Sequence, residues 1–222
     1  MNADEKIWRY LKSAGLNDFG VAGLMGNLFA ESGLNPKNLQ NTYEKKLGMT
    51  DEEYTAAVDS GSYSNFVKDS AGYGLAQWTY WSRKDALLAS CKAAGASVGD
   101  MDAQLNFLLK ELSVGYSGLL STLKSASSVR EASNAVLLQF ERPANQGQSV
   151  HNGCNKGTRH NRRVKAKLLC TDRKQTAHKH RHQYRCYQGD TYRCRYQNPH
   201  SVQYKQLYKV GCRQGQSTEY GY

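Results

Sequence analysis

Every tryptophan, phenylalanine, isoleucine and methionine in this chain lies before residue 151. A packed core needs such side chains, because apolar burial is the main favourable term in folding. Residues 151–222 instead hold eight of the fifteen tyrosines, all six histidines and five of the six cysteines. Charge divides at the same place. Residues 1–150 carry 14 Lys and Arg against 16 Asp and Glu, a balance of −2, while residues 151–222 carry 16 against 3, a balance of +13. The net charge of +11 therefore describes neither part. The expectation is a domain over 1–150, long enough to bury a core, followed by a basic tail over 151–222 that is poorly ordered.

The first part reads as mainly helical. "EKIWRYLKSAG" puts Ile7, Trp8 and Leu11 on one face and stops at Gly15. A second helix starts near Asn17 or Asp18, both good caps, and carries Val21, Leu24, Met25 and Leu28 as an amphipathic stripe. Gly20, Gly23 and Gly26 recur every third residue along it. Glycine weakens a helix, so the three predict a neighbouring element at close range. Gly33 and Pro36 end the helix. Thr50 caps "DEEY", and "AQLNFLLKELS" aligns Leu105, Leu108, Leu109 and Leu112. Ser128 and Glu131 stand in capping-box spacing ahead of a helix that runs through Phe140 to "FERPA". Between these lies "DSAGYGLAQWTYWSRK", with turn chemistry at Gly72 and Gly74. It predicts a small irregular or hairpin lobe around residues 60–77.

Glu31 raises the question of chemistry. It follows Leu24 and Leu28 at i+7 and i+3, so it continues the apolar stripe rather than the solvent face. A carboxyl placed there is partly desolvated, which favours its protonated form. A protonated carboxyl beside a cleft is what a general acid needs. The helix alone is equally served by Glu31 capping the next turn or pairing with a lysine.

"AGLMGNLFAESGLNP", "DSAGYGLAQWTYWSRK" and "AVLLQFERPA", in this order, resemble the phage tail lysozyme domain family over roughly residues 5–145. The first two also resemble the broader transglycosylase and goose-type lysozyme pattern. The resemblance implies a lysozyme-like α+β fold that cleaves the glycan strand of bacterial peptidoglycan. It implies a setting in a phage virion or tail, or in host cytoplasm before holin-type release. It places Glu31 on the family's catalytic acid. Ser32, Gly72, Tyr73, Gly74, Gln77, Trp78 and Tyr80 fall on or beside the segment that faces the acid across the cleft, as substrate-binding residues. Leu75 lies in the same segment, and Trp81 is read as core.

Asp69 lies three residues before the Gly-Tyr-Gly segment, close to where a goose-type second acid stands, and is the candidate second catalytic residue. Glu44, Asp51, Glu52 and Glu53 are alternatives on the connecting stretch. With a second acid the reaction is hydrolysis. Without one, a lytic transglycosylase step lets the substrate supply its own nucleophile. Glu141 reads as structural, at a helix end beside Arg142. No cofactor and no metal are called for, and the enzyme is expected to be a monomer.

The tail admits three readings. Its charge would draw it to anionic wall polymers. Its cysteines and histidines offer metal ligands, although no finger-type pair spacing occurs. Its abrupt change in residue usage is also what a change of reading frame after about Val150 would give. Two other classes stay open: an inactive glycan-binding or tail-structural module, which the presence of Glu31 counts against, and a nucleic-acid binder, which the −2 balance of the domain counts against. No run of about 18 apolar residues occurs, and the N-terminus lacks the layout of a secretory signal. Residues 1–150 are expected to fold and cleave glycan without the tail; limited proteolysis followed by a lysis assay on the surviving core reads this directly.

Overall fold

The computed structural model describes residues 2–141, 183–187 and 193–197. Two compact units are distinguished, Met1–Asp172 and Arg173–Tyr222. In the second unit, β1 (Gln183–Tyr187) and β2 (Arg193–Gln197) pair antiparallel, with Cys186 opposite Cys194. The remaining expectations for the tail, poor order, wall binding or a metal module, lie outside the described residues.

The described part of the first unit is mainly helical. It contains α1 (Ala3–Ser13), α2 (Asp18–Ser32), α3 (Asn41–Leu47), α4 (Asp51–Ser60), α5 (Trp81–Ala93), α6 (Met101–Gly115), α7 (Ser117–Ser125) and α8 (Val129–Val136), the last passing into a π-helical turn at Leu137–Glu141. The caps follow the sequence. Asn17 Oδ1 accepts from Gly20 N at 2.8 Å. Thr50 Oγ1 accepts from Glu53 N while Glu53 accepts from Thr50 N, a complete capping box. At α8 the box is shifted by one. Ser128 accepts from Glu131 N, but the Glu131 carboxylate reaches back to Ser127 N and Oγ.

Helix α2 organises the core. Val21, Leu24, Met25 and Leu28 are buried as the stripe predicts, but so are Ala22, Gly23 and Asn27 on other sides. The helix is enclosed rather than amphipathic. Its glycines explain how neighbours come so close. A Cβ on Gly20 would lie 1.8 Å from the Leu123 carbonyl oxygen of α7, and one on Gly23 would lie 2.5 Å from the Ala132 Cβ of α8. One turn on, Asn27 Nδ2 donates to Ser133 O at 3.2 Å. The contacts step forward along α2 and α8 together, so the two helices run in the same direction.

Residues 61–80 form the irregular lobe. Its strand-like character is limited to isolated bridges joining Tyr73 to Leu39 and to Trp78. The lobe is fixed instead by side chains. Buried Gln104 of α6 accepts from Leu75 N and donates to Pro36 O and Val98 O. Gly74, at φ +74°, leaves room for it: a Cβ there would lie 2.7 Å from Gln104 Oε1.

Gly20→Ala is predicted to lower stability by about 1–3 kcal/mol, because backbone of α7 must move to admit the methyl group. Gly33→Ala, at φ +63° with nothing near the added Cβ, should cost only about 1 kcal/mol of backbone strain. Thermal denaturation of both variants checks the contrast; equal losses would contradict the tight packing of α2.

Candidate active site

Glu31 occupies the last turn of α2, one residue before the terminal Ser32. Solvent reaches its side chain, yet enough protein surrounds the carboxyl to raise its pKa by desolvation. Exposure together with crowding describes a recess rather than a flat surface. Among the described residues, no ion pair or hydrogen bond engages this carboxyl, so neither the cap nor the lysine pairing considered from sequence is found there.

A second carboxyl feels the charge of Glu31, and it is not the one expected. Glu141, at the end of the π-turn, is half-buried. Its pKa is pushed up to about 8 by burial first and by the Glu31 carboxylate second, with the Arg83 guanidinium pulling the other way. Extra residues in a π-turn re-aim the chain and occur often at functional sites.

Arg83 is held in place by Glu111. Its Nε and Nη2 donate to the two Glu111 oxygens at 2.6 and 2.8 Å, and its guanidinium lies 4.5 Å from the centre of the Phe140 ring. Trp78 Nε1 donates to the same Glu111 at 3.0 Å. One edge of the Arg83 guanidinium is therefore taken by Glu111, and its charge also acts on Glu141.

The Gly72–Gln77 segment is tied to the end of α2. Ser32 Oγ, expected to touch substrate, is buried and donates to Leu28 O and Leu75 O at 3.0 and 2.9 Å. It joins the acid's helix to this segment. Gly72 and Gly74 are buried and serve backbone pairing: Gly72 O accepts from Gln40 N, and Gly74 N donates to Asn38 O, both at 2.9 Å. Gln77 is part-exposed and sits at φ +46°, a strained conformation for a residue with a side chain. Its Nε2 donates to Asn38 O, Asn38 Oδ1 and Gly74 O.

Three aromatic expectations are corrected. Tyr73 is fully buried between Tyr54 and Phe66, with its hydroxyl 2.7 Å from Thr55 Oγ1, so it is core and not cleft. Trp78 is likewise fully buried, edge-on to Phe107. Trp81, read as core, is 57% exposed beside Tyr80 at 63%, with ring centres 6.0 Å apart. Neighbouring glycines had suggested that Tyr73 lines an opening; instead they let it pack inward. Of the aromatics proposed for sugar contact, Tyr80 keeps an open face.

Asp69 is the largest correction. Its side chain is 3% exposed and its Oδ1 lies 2.5 Å from Lys84 Nζ, itself 0% exposed. Tyr54 and Tyr63 hydroxyls donate to Oδ2, and Ala71 N donates to Oδ1. Lys84 also donates to Ala71 O and lies 4.3 Å from the Phe66 ring centre. Burial pushes the Lys84 ammonium down and Asp69 pushes it back. A carboxylate held in this way is buried inside the lobe and joins it to α5. Of the alternatives, Asp51 accepts from Leu39 N and Asn35 Nδ2, and Glu53 is engaged by its cap. Sequence reasoning did not single out Arg83, because its pairing with Glu111 depends on packing between α5 and α6.

Among the described residues no group of three or more His, Cys, Asp or Glu side chains is arranged to hold a metal ion, and no helix is long and apolar enough to cross a membrane. The sequence model of one family, phage tail lysozyme, matches residues 2–171. The match carries past residue 150.

Asp69→Asn is predicted to destabilise the domain by about 3–5 kcal/mol, since it leaves a buried ammonium without its counter-charge. A melting temperature close to that of the wild type would contradict the structural role. Glu141 gives a pH signature. Its folded-state value near 8 exceeds the ordinary 4.5, so the folded state keeps a proton that the unfolded chain releases across that window. The resulting stability is complete below about pH 4.5 and is lost as pH rises through 8. Melting the wild type and Glu141→Gln at pH 5 and pH 8.5 should show a steeper loss in the wild type, by about 4 kcal/mol. Parallel losses would contradict it.

Proposed function

The chain belongs to the phage tail lysozyme family, and from that premise we propose that it cleaves the glycan strand of peptidoglycan with Glu31 as general acid. One observation carries the reading: an accessible carboxyl at the end of the central helix, crowded enough to raise its pKa and without an ion-pair partner among the described residues. Protonating the glycosidic oxygen lets the C–O bond break without expelling an alkoxide. Family membership supports a wall substrate and a virion or tail setting. Tyr80, joined now by Trp81, offers flat faces to sugar rings, and Gln77 an amide oxygen. The basic charge of residues 151–222 would add attraction to anionic wall polymers, fading as salt rises.

A second reading concerns the route. The burial of Asp69 against Lys84 removes the candidate base for water and favours the lytic transglycosylase step, in which a substrate hydroxyl attacks. Mass spectrometry of a peptidoglycan digest separates the two: anhydro-muramic ends support this step, and reducing muramic ends support hydrolysis.

Glu31→Gln should lower lysis of a susceptible wall suspension by about 10²–10⁴-fold while leaving the melting temperature within a few degrees. Turbidity loss beside a thermal melt measures both. Undiminished lysis by the variant ends the proposal.

A further inference from the structure

We infer that Arg83 is a specificity residue, whose uncommitted guanidinium edge receives a carboxylate borne by the muramic acid of the substrate, on its lactyl group or on the peptide attached there. The inference rests on the reading of Glu31 as the acid that cleaves the glycan strand. Arg83 is held on two sides. Its Nε and Nη2 donate to the two Glu111 oxygens at 2.6 and 2.8 Å, which fills one edge of the fork. The Phe140 ring covers one face, its centre 4.5 Å from the guanidinium carbon. Glu111 is fixed in turn, because Trp78 Nε1 donates to it at 3.0 Å. An arginine fixed in this way has already lost the side-chain freedom that binding would otherwise take from it.

A guanidinium carries N–H donors on two edges. Glu111 takes the edge made by Nε and Nη2; among the described residues no hydrogen bond engages the edge made by Nη1 and the far side of Nη2. The Arg83 side chain is 24% exposed, so a ligand can reach it. Two parallel N–H groups match the two oxygens of a carboxylate, a fit that a lysine cannot offer. The surroundings are those of the proposed sugar path. Arg83 N donates to Tyr80 O at 3.0 Å in the first turn of α5, and residues three apart on a helix are neighbours. The exposed rings of Tyr80 and Trp81 therefore stand beside it. A chain of contacts also leads back to the acid's helix. Ser32, next to Glu31, bonds Leu75 O, and Trp78 of the same segment reaches Glu111.

Charge leaves room for such a ligand. Lys84, the next residue, is buried on Asp69 and takes no part. Glu141, the other carboxyl that feels Arg83, has its pKa near 8 and so adds no second full negative charge at neutral pH. The chemistry of the substrate gives the edge its use. Both sugars of the glycan strand offer rings to stack, but only muramic acid bears a carboxylate, on its own lactyl group when bare and on the peptide when substituted. A strand of two alternating sugars presents two kinds of glycosidic bond. A fixed station for one sugar sets the register of the strand, and the register selects which bond meets Glu31. The aromatic faces hold the strand and Arg83 chooses its phase.

Kinetics of the full chain on soluble glycan fragments test this, in about 0.3 M salt, where the pull of the basic tail is screened. One substrate keeps its peptides; the other is stripped by an amidase, which bares the lactyl carboxylates. Each is used as it is and after carbodiimide coupling to ammonia, which turns its carboxylates into neutral amides. In the wild type, amidation should raise KM about tenfold on the substrate whose carboxylate Arg83 receives, with kcat changed by less than about threefold. In Arg83→Gln the ratio of the two KM values should fall to about one, and Arg83→Lys, which keeps the charge but not the fork, should restore no more than about threefold. A wild-type KM that amidation leaves within about twofold on both substrates would overturn the inference, as would a ratio in Arg83→Gln equal to that of the wild type. If Arg83→Gln does not fold, Arg83→Lys decides, and an undiminished ratio there overturns the inference. Binding of Glu31→Gln to the same native and amidated fragments gives the comparison without cleavage. Undiminished lysis by Glu31→Gln would remove the general-acid reading while leaving the carboxylate dependence of binding in place, so the two failures are distinguishable.

Discussion

The close approach of α7 and α8 to the glycine face of α2 is the constraint on which the rest depends. A carbonyl oxygen 1.8 Å from where a Cβ would stand at Gly20 leaves no alternative residue. Glycine is a poor helix former, and α2 tolerates it because burial on all sides supplies the stability that propensity does not. With the helices this near, Asn27 can bond across to Ser133, and the register between two segments more than a hundred residues apart is set. Glu31 stands in the last turn of the same helix.

The opposite wall depends on a different device. Residues 61–80 have almost no regular secondary structure, so their shape comes from buried polar side chains. Lys84, Asp69 and Tyr54 hold one end. Gln104 holds the middle, and Ser32 ties it to the end of α2. Each of these groups is satisfied, which is the condition under which buried polarity can fix a structure rather than weaken it. The strained φ of Gln77 persists within this frame. The chain thus builds one wall by apolar packing and the other by a polar network.

Much of the first wall was legible in the sequence. The three-residue glycine spacing predicted close neighbours, and Gly20 and Gly23 have them. Asn17, Thr50 and Ser128 cap where their side-chain chemistry says they should. The second wall was not legible. Asp69 looks like a free acid until Lys84, fifteen residues on, is folded back over it. Tyr73 between two glycines looks open until Tyr54 and Phe66 close around it. Trp81 was assigned to the core on aromatic density alone, yet its position at the start of α5 turns it outward. Local pattern reports which residues form an element; it does not report which side of a lobe faces the protein. Glu141 was read as structural for the same reason. It feels the charge of Glu31 only through the fold, and the π-turn that carries it has no sequence signature of its own.

The central claim is that Glu31 delivers a proton to the glycosidic oxygen of a wall glycan. The most direct measurement is a crystal structure of Glu31→Gln bound to a tetrasaccharide of alternating N-acetylglucosamine and N-acetylmuramic acid. The account predicts one glycosidic oxygen at about 2.6–3.2 Å from the residue 31 side chain, with the sugar chain running past Tyr80. A tetrasaccharide seated on another face, with no glycosidic oxygen within reach of residue 31, would contradict it.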